Sequence, residues 1–151
     1  MPRKRQSGIT LIEMLVVMTL AALLAAIVAP SVGSGVDTMR LRSTAERMAA
    51  TFRTAHERAM RSHHYMEVSV DPLSRAVELR DLESGSLASW EIPGTIVVKA
   101  EQRVAFLLYP DGGAQAMRIR LENGRGRQTE IVMDPFTLFP AVLEVSQEVR
   151  Q

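Results

Sequence analysis

Three histidines are the side chains of this 151-residue chain that ordinarily gain or lose a proton near neutral pH, histidine is also a common metal ligand, and there is no cysteine. His56, His63 and His64 show no metal-ligand spacing with a carboxylate cluster, and zinc sites need three or four converging ligands. At the end of a helix, His63 and His64 are instead expected to be exposed and favoured by the helix dipole. The pattern therefore predicts no metal site.

Ser34 is the serine whose surroundings come nearest to a nucleophile motif. It lies in "VGSGV", which lacks the G-x-S-x-G spacing of a nucleophile elbow. The absence of cysteine also excludes a thiolate nucleophile and disulfides. Asp111 in "YPDGG" and Asp134 in "MDPF" fit turn positions better than calcium sites. We therefore predict that the chain is not an enzyme and carries no cofactor.

The segment "NGRGR", residues 123–127, places Arg125 and Arg127 in one short loop. Guanidinium groups bind phosphate through parallel hydrogen bonds, so the two arginines could form a phosphate clamp. The alternative is a simple hairpin turn, because Asn123 and Gly124 tolerate positive φ. Both interpretations remain open from these residues.

The charge distribution restricts which partners the chain can bind. The formal net charge is only +1. Residues 37–64 carry six arginines and three acids, whereas residues 65–151 carry nine basic and thirteen acidic residues. This balance argues against a nucleic-acid-binding surface spread over the whole domain.

Glu13 is the carboxylate in the most unusual position. It interrupts the apolar run of residues 9–29, which at 1.5 Å per residue would reach about 30 Å and cross a bilayer core. An ionised carboxylate near the bilayer centre costs at least about 2.5 kcal/mol. Glu13 therefore either lies at the membrane interface, near the positive end of the helix dipole, or awaits a positive partner in the membrane or in an assembly.

The basic residues Arg3, Lys4 and Arg5 precede the run, and no comparable cluster follows it soon. By the positive-inside tendency, the N-terminus is expected in the cytoplasm and the rest of the chain across the membrane. An ordinary cleaved signal also begins with basic residues. However, this run is longer than a usual signal core, lacks an A-x-A triple near its end and is followed at once by Pro30.

Beyond Pro30 the pattern changes twice. Pro30 with Gly33 and Gly35 predicts a kink or a local loss of helix. Residues 31–64 are then expected to form a hinge and an amphipathic helix, with apolar side chains at spacings of four and three on one face: Leu41, Ala45, Met48, Phe52, Ala55 and Ala59. Arginines occupy the opposite side and most simply form a solvated face.

After "SHHY" the apolar residues alternate with a period of two. Eight short segments are typical of strands: "YMEVSV", "AVELRDL", "LASWEI", "TIVVKA", "VAFLL", "MRIRL", "TEIVM" and "AVLEV". Tight turns between them predict a mostly antiparallel sheet in residues 65–151, packed on the apolar face of the helix. The sequence therefore predicts an α+β fold: a long N-terminal helix, one half in the membrane and one half amphipathic, on an antiparallel sheet.

The segment "SGITLIEML" resembles the type IV prepilin signature. The resemblance implies a leader peptide of residues 1–8, cleavage between Gly8 and Ile9 by a prepilin peptidase, and N-methylation of Ile9. It also implies that Glu13, the fifth residue of the mature chain, neutralises the N-terminal amine of a neighbouring subunit. Ile9 departs from the pattern, since most members have Phe there. Residues 9–30 would then be a transmembrane and assembly helix.

Over almost its whole length the chain resembles the GspH/FimT group of minor pseudopilins and minor pilins. The resemblance rests on "LRSTAERMAATFRTAHERAM", "YPDGGAQAMRIRL" and "GRGRQTEIVMDPFTLFPAV". It implies a pilin-like fold and favours a GspH-like minor pseudopilin of a type II secretion system, a structural subunit of the periplasmic pseudopilus that supports protein export.

The same resemblance implies partners and a location. The partners are the major and minor pseudopilins, the prepilin peptidase during maturation, and the bacterial inner membrane, crossed once with the C-terminal domain in the periplasm. The alternative is a FimT-like minor pilin of a type IV pilus that binds DNA during uptake, because "GRGR" is similar to the G-R-x-R element of those pilins. That element usually lies in a C-terminal tail, whereas here it joins two predicted strands. Nucleic acid is a partner only under this alternative, through Arg125 and Arg127.

Overall fold

The computed structural model describes residues 10–133 and 139–145, without the side chains of residues 27–34 and 86–87. One helix precedes eight strands, in the order α1 (Leu11–Ser62), β1 (Met66–Asp71), β2 (Ala76–Asp81), β3 (Gly85–Glu91), β4 (Ile96–Val98), β5 (Val104–Leu108), β6 (Met117–Asn123), β7 (Gln128–Met133) and β8 (Pro140–Val145). The predicted α+β fold with a long N-terminal helix is confirmed, and each predicted strand segment corresponds to an observed strand.

The strands form two four-stranded antiparallel sheets instead of one. Their orders are β3-β2-β1-β5 and β4-β6-β7-β8. Most neighbours are joined by hairpins, but β4 pairs with β6, and β5 returns to pair with β1. Alternating apolar residues identify strands and their inner faces, but they do not specify which strands pair, so the sequence could not separate the two sheets.

The apolar stripe of α1 fills the centre of the core, as its spacing predicts. All six stripe residues are buried, together with inward-facing residues of both sheets. Phe52 packs edge-to-face against Phe106 of β5, with ring centroids 5.7 Å apart. Burial of a phenylalanine contributes roughly 1.5–3 kcal/mol, so this pair fixes α1 against the first sheet.

The arginines of α1 are exposed, but Arg47 also contacts an aromatic ring. The guanidinium carbon of Arg47 lies 4.5 Å from the ring centroid of Trp90, and Trp90 Nε1 donates to Thr51 Oγ1 at 3.2 Å. These contacts hold the indole ring of Trp90, in β3, against α1.

α1 continues through Pro30 and the glycines that follow it. The local loss of helix that the sequence suggested is therefore not observed. A proline removes one backbone donor, and a long helix can continue past that gap. A kink at Pro30 stays a prediction. The chain divides into two compact units between Val36 and Asp37, and each is described separately below.

Among the residues that the structure describes, no helix meets the length and apolarity required of a membrane span.

Candidate functional site

Glu13 lies in the first turn of α1, where Thr10 caps the helix. The Glu13 amide donates to the Thr10 carbonyl oxygen at 3.1 Å and to Thr10 Oγ1 at 3.3 Å. Thr10 and Glu13 have the T-x-x-E spacing of a capping box, and a carboxylate in the first turn is favoured by the helix dipole. This cap was not predicted, although "TLIE" carries its signal in the sequence.

An apolar surface surrounds Glu13 on α1. Leu11 is 86 % exposed and Met18 is 75 % exposed, and the other large apolar side chains up to Leu24 are also exposed. Glu13 is the one charged residue in residues 9–36 of the sequence. A helix that is apolar all round needs lipid or other helices around it, and an ionised carboxylate buried in such surroundings costs free energy unless it is paired. Gly8 and Ile9, the predicted cleavage and methylation residues, lie outside the described residues.

Residues 123–127 form the hairpin between β6 and β7. Asn123 Oδ1 accepts the amide hydrogens of Arg125 and Arg127 at 3.1 and 3.0 Å, and Gly126 has a φ of 78°. The hairpin turn expected for this segment is confirmed, with residues 124–127 connecting the two antiparallel strands. The left-handed position falls on Gly126, while the Asn123 side chain organises the loop through its backbone amides.

Arg125 has a partner within the same compact unit. Its Nε lies 2.9 Å from Asp37 Oδ2, in an ion pair that joins the hairpin to α1. The two residues are 88 positions apart in sequence. Exposed ion pairs of this kind contribute about 0.2–1 kcal/mol. Arg125 therefore tethers the hairpin to Asp37, the first residue of the second compact unit (residues 37–151), here called the folded unit.

Arg125 and Arg127 also line a cleft of about 400 Å³ beside Arg42 of α1 and Glu144 of β8. Arg42 pairs with Glu46 at 2.9 Å, and Glu46, with a smaller effect from Glu144, raises the pKa of Arg42. The three arginines are thus accompanied by three carboxylates, those of Asp37, Glu46 and Glu144. Of these carboxylates, Glu144 lines the cleft together with the three arginines, while Asp37 and Glu46 pair with Arg125 and Arg42.

The two further arginines near this hairpin face another carboxylate. Arg120 Nη2 lies 3.2 Å from Glu130 Oε1, and Arg118 Nη1 lies 3.8 Å from Glu130 Oε2. Glu130 is only 8 % exposed, so these contacts compensate its burial. The arginines of β6 therefore pair with a carboxylate of the neighbouring strand in their own sheet.

Two of the three histidines, His56 and His64, have structural partners. His56 Nε2 donates to the Gly112 carbonyl oxygen at 2.8 Å. In the same loop, Asp111 Oδ1 accepts the amide hydrogen of Gly113 at 2.9 Å, which is the contact expected of a turn-forming aspartate. His63 is exposed, as predicted, but His64 lies between two carboxylates, those of Asp81 and Glu83. Within the described residues there is no group of three or more side chains suited to a metal ion. Asp134 lies outside them.

Comparisons with known proteins agree with this arrangement. A family model described as the prokaryotic N-terminal methylation motif matches residues 3–29. Type II secretion system protein H of Xanthomonas campestris pv. campestris is 31 % identical over 123 residues, which cover 79 % of this chain and 73 % of that protein.

Two solved structures of the minor pseudopilin EpsH from the type II secretion system of Vibrio cholerae share the fold. Their TM-scores are 0.58 and 0.60, each at 10 % identity. The matches cover 70 % and 75 % of this chain and 97 % and 99 % of those chains. The motif, the identity and the fold agree. This chain is a member of the type II secretion system protein H family and a GspH-like minor pseudopilin.

Proposed function

We propose that this minor pseudopilin enters the pseudopilus through the apolar half of α1, and that Glu13 binds the N-terminal amine of a neighbouring pilin-type subunit. The observation that carries the proposal is the lone carboxylate of Glu13 on a capped helix whose apolar side chains are exposed. Other major and minor pseudopilins supply the matching apolar surfaces.

Electrostatics makes this pairing selective. Two opposite charges 4 Å apart attract by about 4 kcal/mol at an effective dielectric constant of 20, whereas an unpaired carboxylate in an apolar bundle carries a desolvation penalty. Only the register that brings an amine to Glu13 avoids that penalty. The carboxylate therefore sets how far one helix slides along the next.

The N-terminal amine of each pilin-type subunit, this chain included, would have to be created by processing. A prepilin peptidase would cut between Gly8 and Ile9, remove the basic leader and methylate Ile9. The methylation-motif match over residues 3–29 supports this step. The basic residues before the apolar run support a single-pass inner-membrane topology with a cytoplasmic N-terminus and a periplasmic domain.

Mass spectrometry of sheared pseudopili tests the proposal. Pseudopili from cells that express the chain should contain a form that begins at N-methylated Ile9 and lacks residues 1–8. Changing Gly8 to a bulky residue should leave the full-length chain in the membrane fraction and remove it from the sheared material. Recovery of uncleaved chain in pseudopili would contradict the proposal.

DNA binding during uptake is the second candidate function, and it depends on Arg125 and Arg127. The exposed position of Arg127 at the mouth of the cleft favours it, while the pairing of Arg125 with Asp37 opposes it. Two arginines would give a salt slope of only about −1.8 on duplex DNA. In a mobility-shift assay with the full chain in detergent, R125A/R127A should weaken binding. No shift by the unchanged chain at low salt would remove this candidate.

A further inference from the structure

At the end of α1, His64 bridges two carboxylates that flank the β2–β3 turn. Its Nδ1 lies 3.0 Å from Asp81 Oδ2, and its Nε2 lies 3.2 Å from Glu83 Oε2. Ionised carboxylates can only accept hydrogen bonds, and a neutral imidazole has a single N–H. Only the doubly protonated ring satisfies both contacts at once.

Asp81 anchors this cluster in the fold. Its side chain is 6 % exposed, and its Oδ1 accepts the amide hydrogens of Glu83 and Ser84 at 2.8 and 3.2 Å. The hydrogen bond from His64, followed by those from Ser84 and Glu83, holds the pKa of Asp81 well below its usual range. The carboxylate therefore stays ionised, and its second oxygen is directed to His64.

Two charged residues of α1, Arg58 and Arg61, line a hollow of about 250 Å³ together with Asp81. Among the described residues, neither arginine forms an ion pair with Asp81 or Glu83. His64 is thus the cation in direct contact with both carboxylates. If its charge is lost, no other cation in contact replaces it there.

We propose that His64 is a pH-operated latch between the end of α1 and the β2–β3 turn, closed while its ring is protonated. When the ring loses a proton, one of its nitrogens presents a lone pair to a carboxylate oxygen that lies 3.0 Å (Asp81) or 3.2 Å (Glu83) away. That contact then becomes repulsive. The turn then keeps the backbone hydrogen bond from Leu82 to the Tyr65 carbonyl, at 3.0 Å, and the one hydrogen bond that a neutral His64 ring can donate, but it loses its ionic tie to the end of α1. Leu82 and Tyr65 are exposed beside the latch, so its opening alters a surface available to partners.

The direction of the pH effect follows from the contacts. The hydrogen bond with Asp81, helped by Glu83, raises the pKa of His64 above its ordinary value of 6.5. The folded chain therefore binds this proton more tightly than the unfolded chain does. The latch stabilises fully below about pH 6.5 and is lost as the pH rises through the folded-state pKa of His64. On the acid side the contact between His64 and Asp81 is lost only where Asp81 itself is protonated.

An NMR titration of the full chain in detergent micelles between pH 5 and 9 tests the latch. The ring protons of His64 should titrate with a midpoint above 6.5, and the amide resonances of Glu83 and Ser84 should shift with the same midpoint. A His64 midpoint at or below 6.5, or amide resonances that do not follow it, would overturn the proposal.

Two variants separate the latch from a general loss of stability. Glu83→Gln removes one exposed carboxylate and should lower the His64 midpoint while the fold is retained. His63→Asn changes the adjacent histidine, whose φ of 60° asparagine tolerates, and should leave the midpoint unchanged. An unchanged midpoint in Glu83→Gln, or a lowered one in His63→Asn, contradicts the latch. None of these readings depends on incorporation into a pseudopilus.

Discussion

Arg125 shows how a residue that suggests a ligand can instead hold the fold together. In sequence it belongs to "GRGR", a possible phosphate clamp. In the structure its guanidinium meets Asp37, at the first residue of the folded unit. The sequence could not reveal this pair, because 88 positions separate the two residues and their approach depends on how the second sheet packs against α1.

Replacing Arg125 and Arg127 separately should distinguish tether from ligand-binding residue. Arg125→Ala should lower the free energy of unfolding by about 0.2–1 kcal/mol, because an exposed ion pair is lost. Arg127→Ala is the matched control, since Arg127 is exposed and makes no ion pair within the described residues, and it should change stability by less than about 0.5 kcal/mol. Urea unfolding in mild detergent, followed by the fluorescence of the single tryptophan, Trp90, measures both. An Arg125→Ala variant as stable as the unchanged chain, or less destabilised than Arg127→Ala, would contradict the tether.

His64 is the reverse case, because a side chain with no expected partner contacts two carboxylates in the structure. Its position at a helix end suggested an exposed side chain, and that expectation was wrong for His64 but right for His63. The difference arises because the β2–β3 turn folds back on the end of α1, which places Asp81 and Glu83 around one ring only. No local pattern distinguishes the two neighbouring histidines.

At the scale of elements, the sequence predicted the features that follow from the local periodicity of apolar residues. The spacing of apolar residues identified the buried face of α1, and alternation identified all eight strands, because both periods follow directly from backbone geometry. Pairing partners, the division into two sheets and the type of the β6–β7 turn were not predictable in this way. They depend on contacts between distant segments and on the side chain of Asn123.

The β6–β7 turn offers a matched test of this element. Gly126→Ala should destabilise the chain by about 1 kcal/mol, because φ is 78° there and a Cβ is strained at positive φ. Gly124→Ala should be nearly neutral, since a Cβ added at Gly124 meets no atom within 4 Å and its φ is not positive. Unfolding curves recorded under identical conditions compare the two variants. A larger loss at Gly124 would contradict the observed turn.

At the scale of the whole molecule, the two compact units have different chemistry. The unit of residues 37–151 buries an apolar core drawn from α1 and both sheets, and it pairs most of its arginines near the hairpin with carboxylates. The described part of the N-terminal unit leaves its apolar residues exposed around one carboxylate. The prepilin resemblance assigned Glu13 its role from the sequence, whereas Thr10 and its cap became evident only from the geometry of the first turn.

Incorporation of Glu13→Gln into pseudopili tests the central claim most directly. The variant keeps the shape of the side chain and removes its charge, so leader cleavage and membrane insertion should remain normal. The amount in sheared pseudopili, measured by immunoblotting, should fall at least about tenfold if the lost attraction exceeds 1.4 kcal/mol. Glu57→Gln, an exposed glutamate in the other half of α1, is the control and should be incorporated normally. Incorporation of Glu13→Gln equal to that of the unchanged chain would contradict the account.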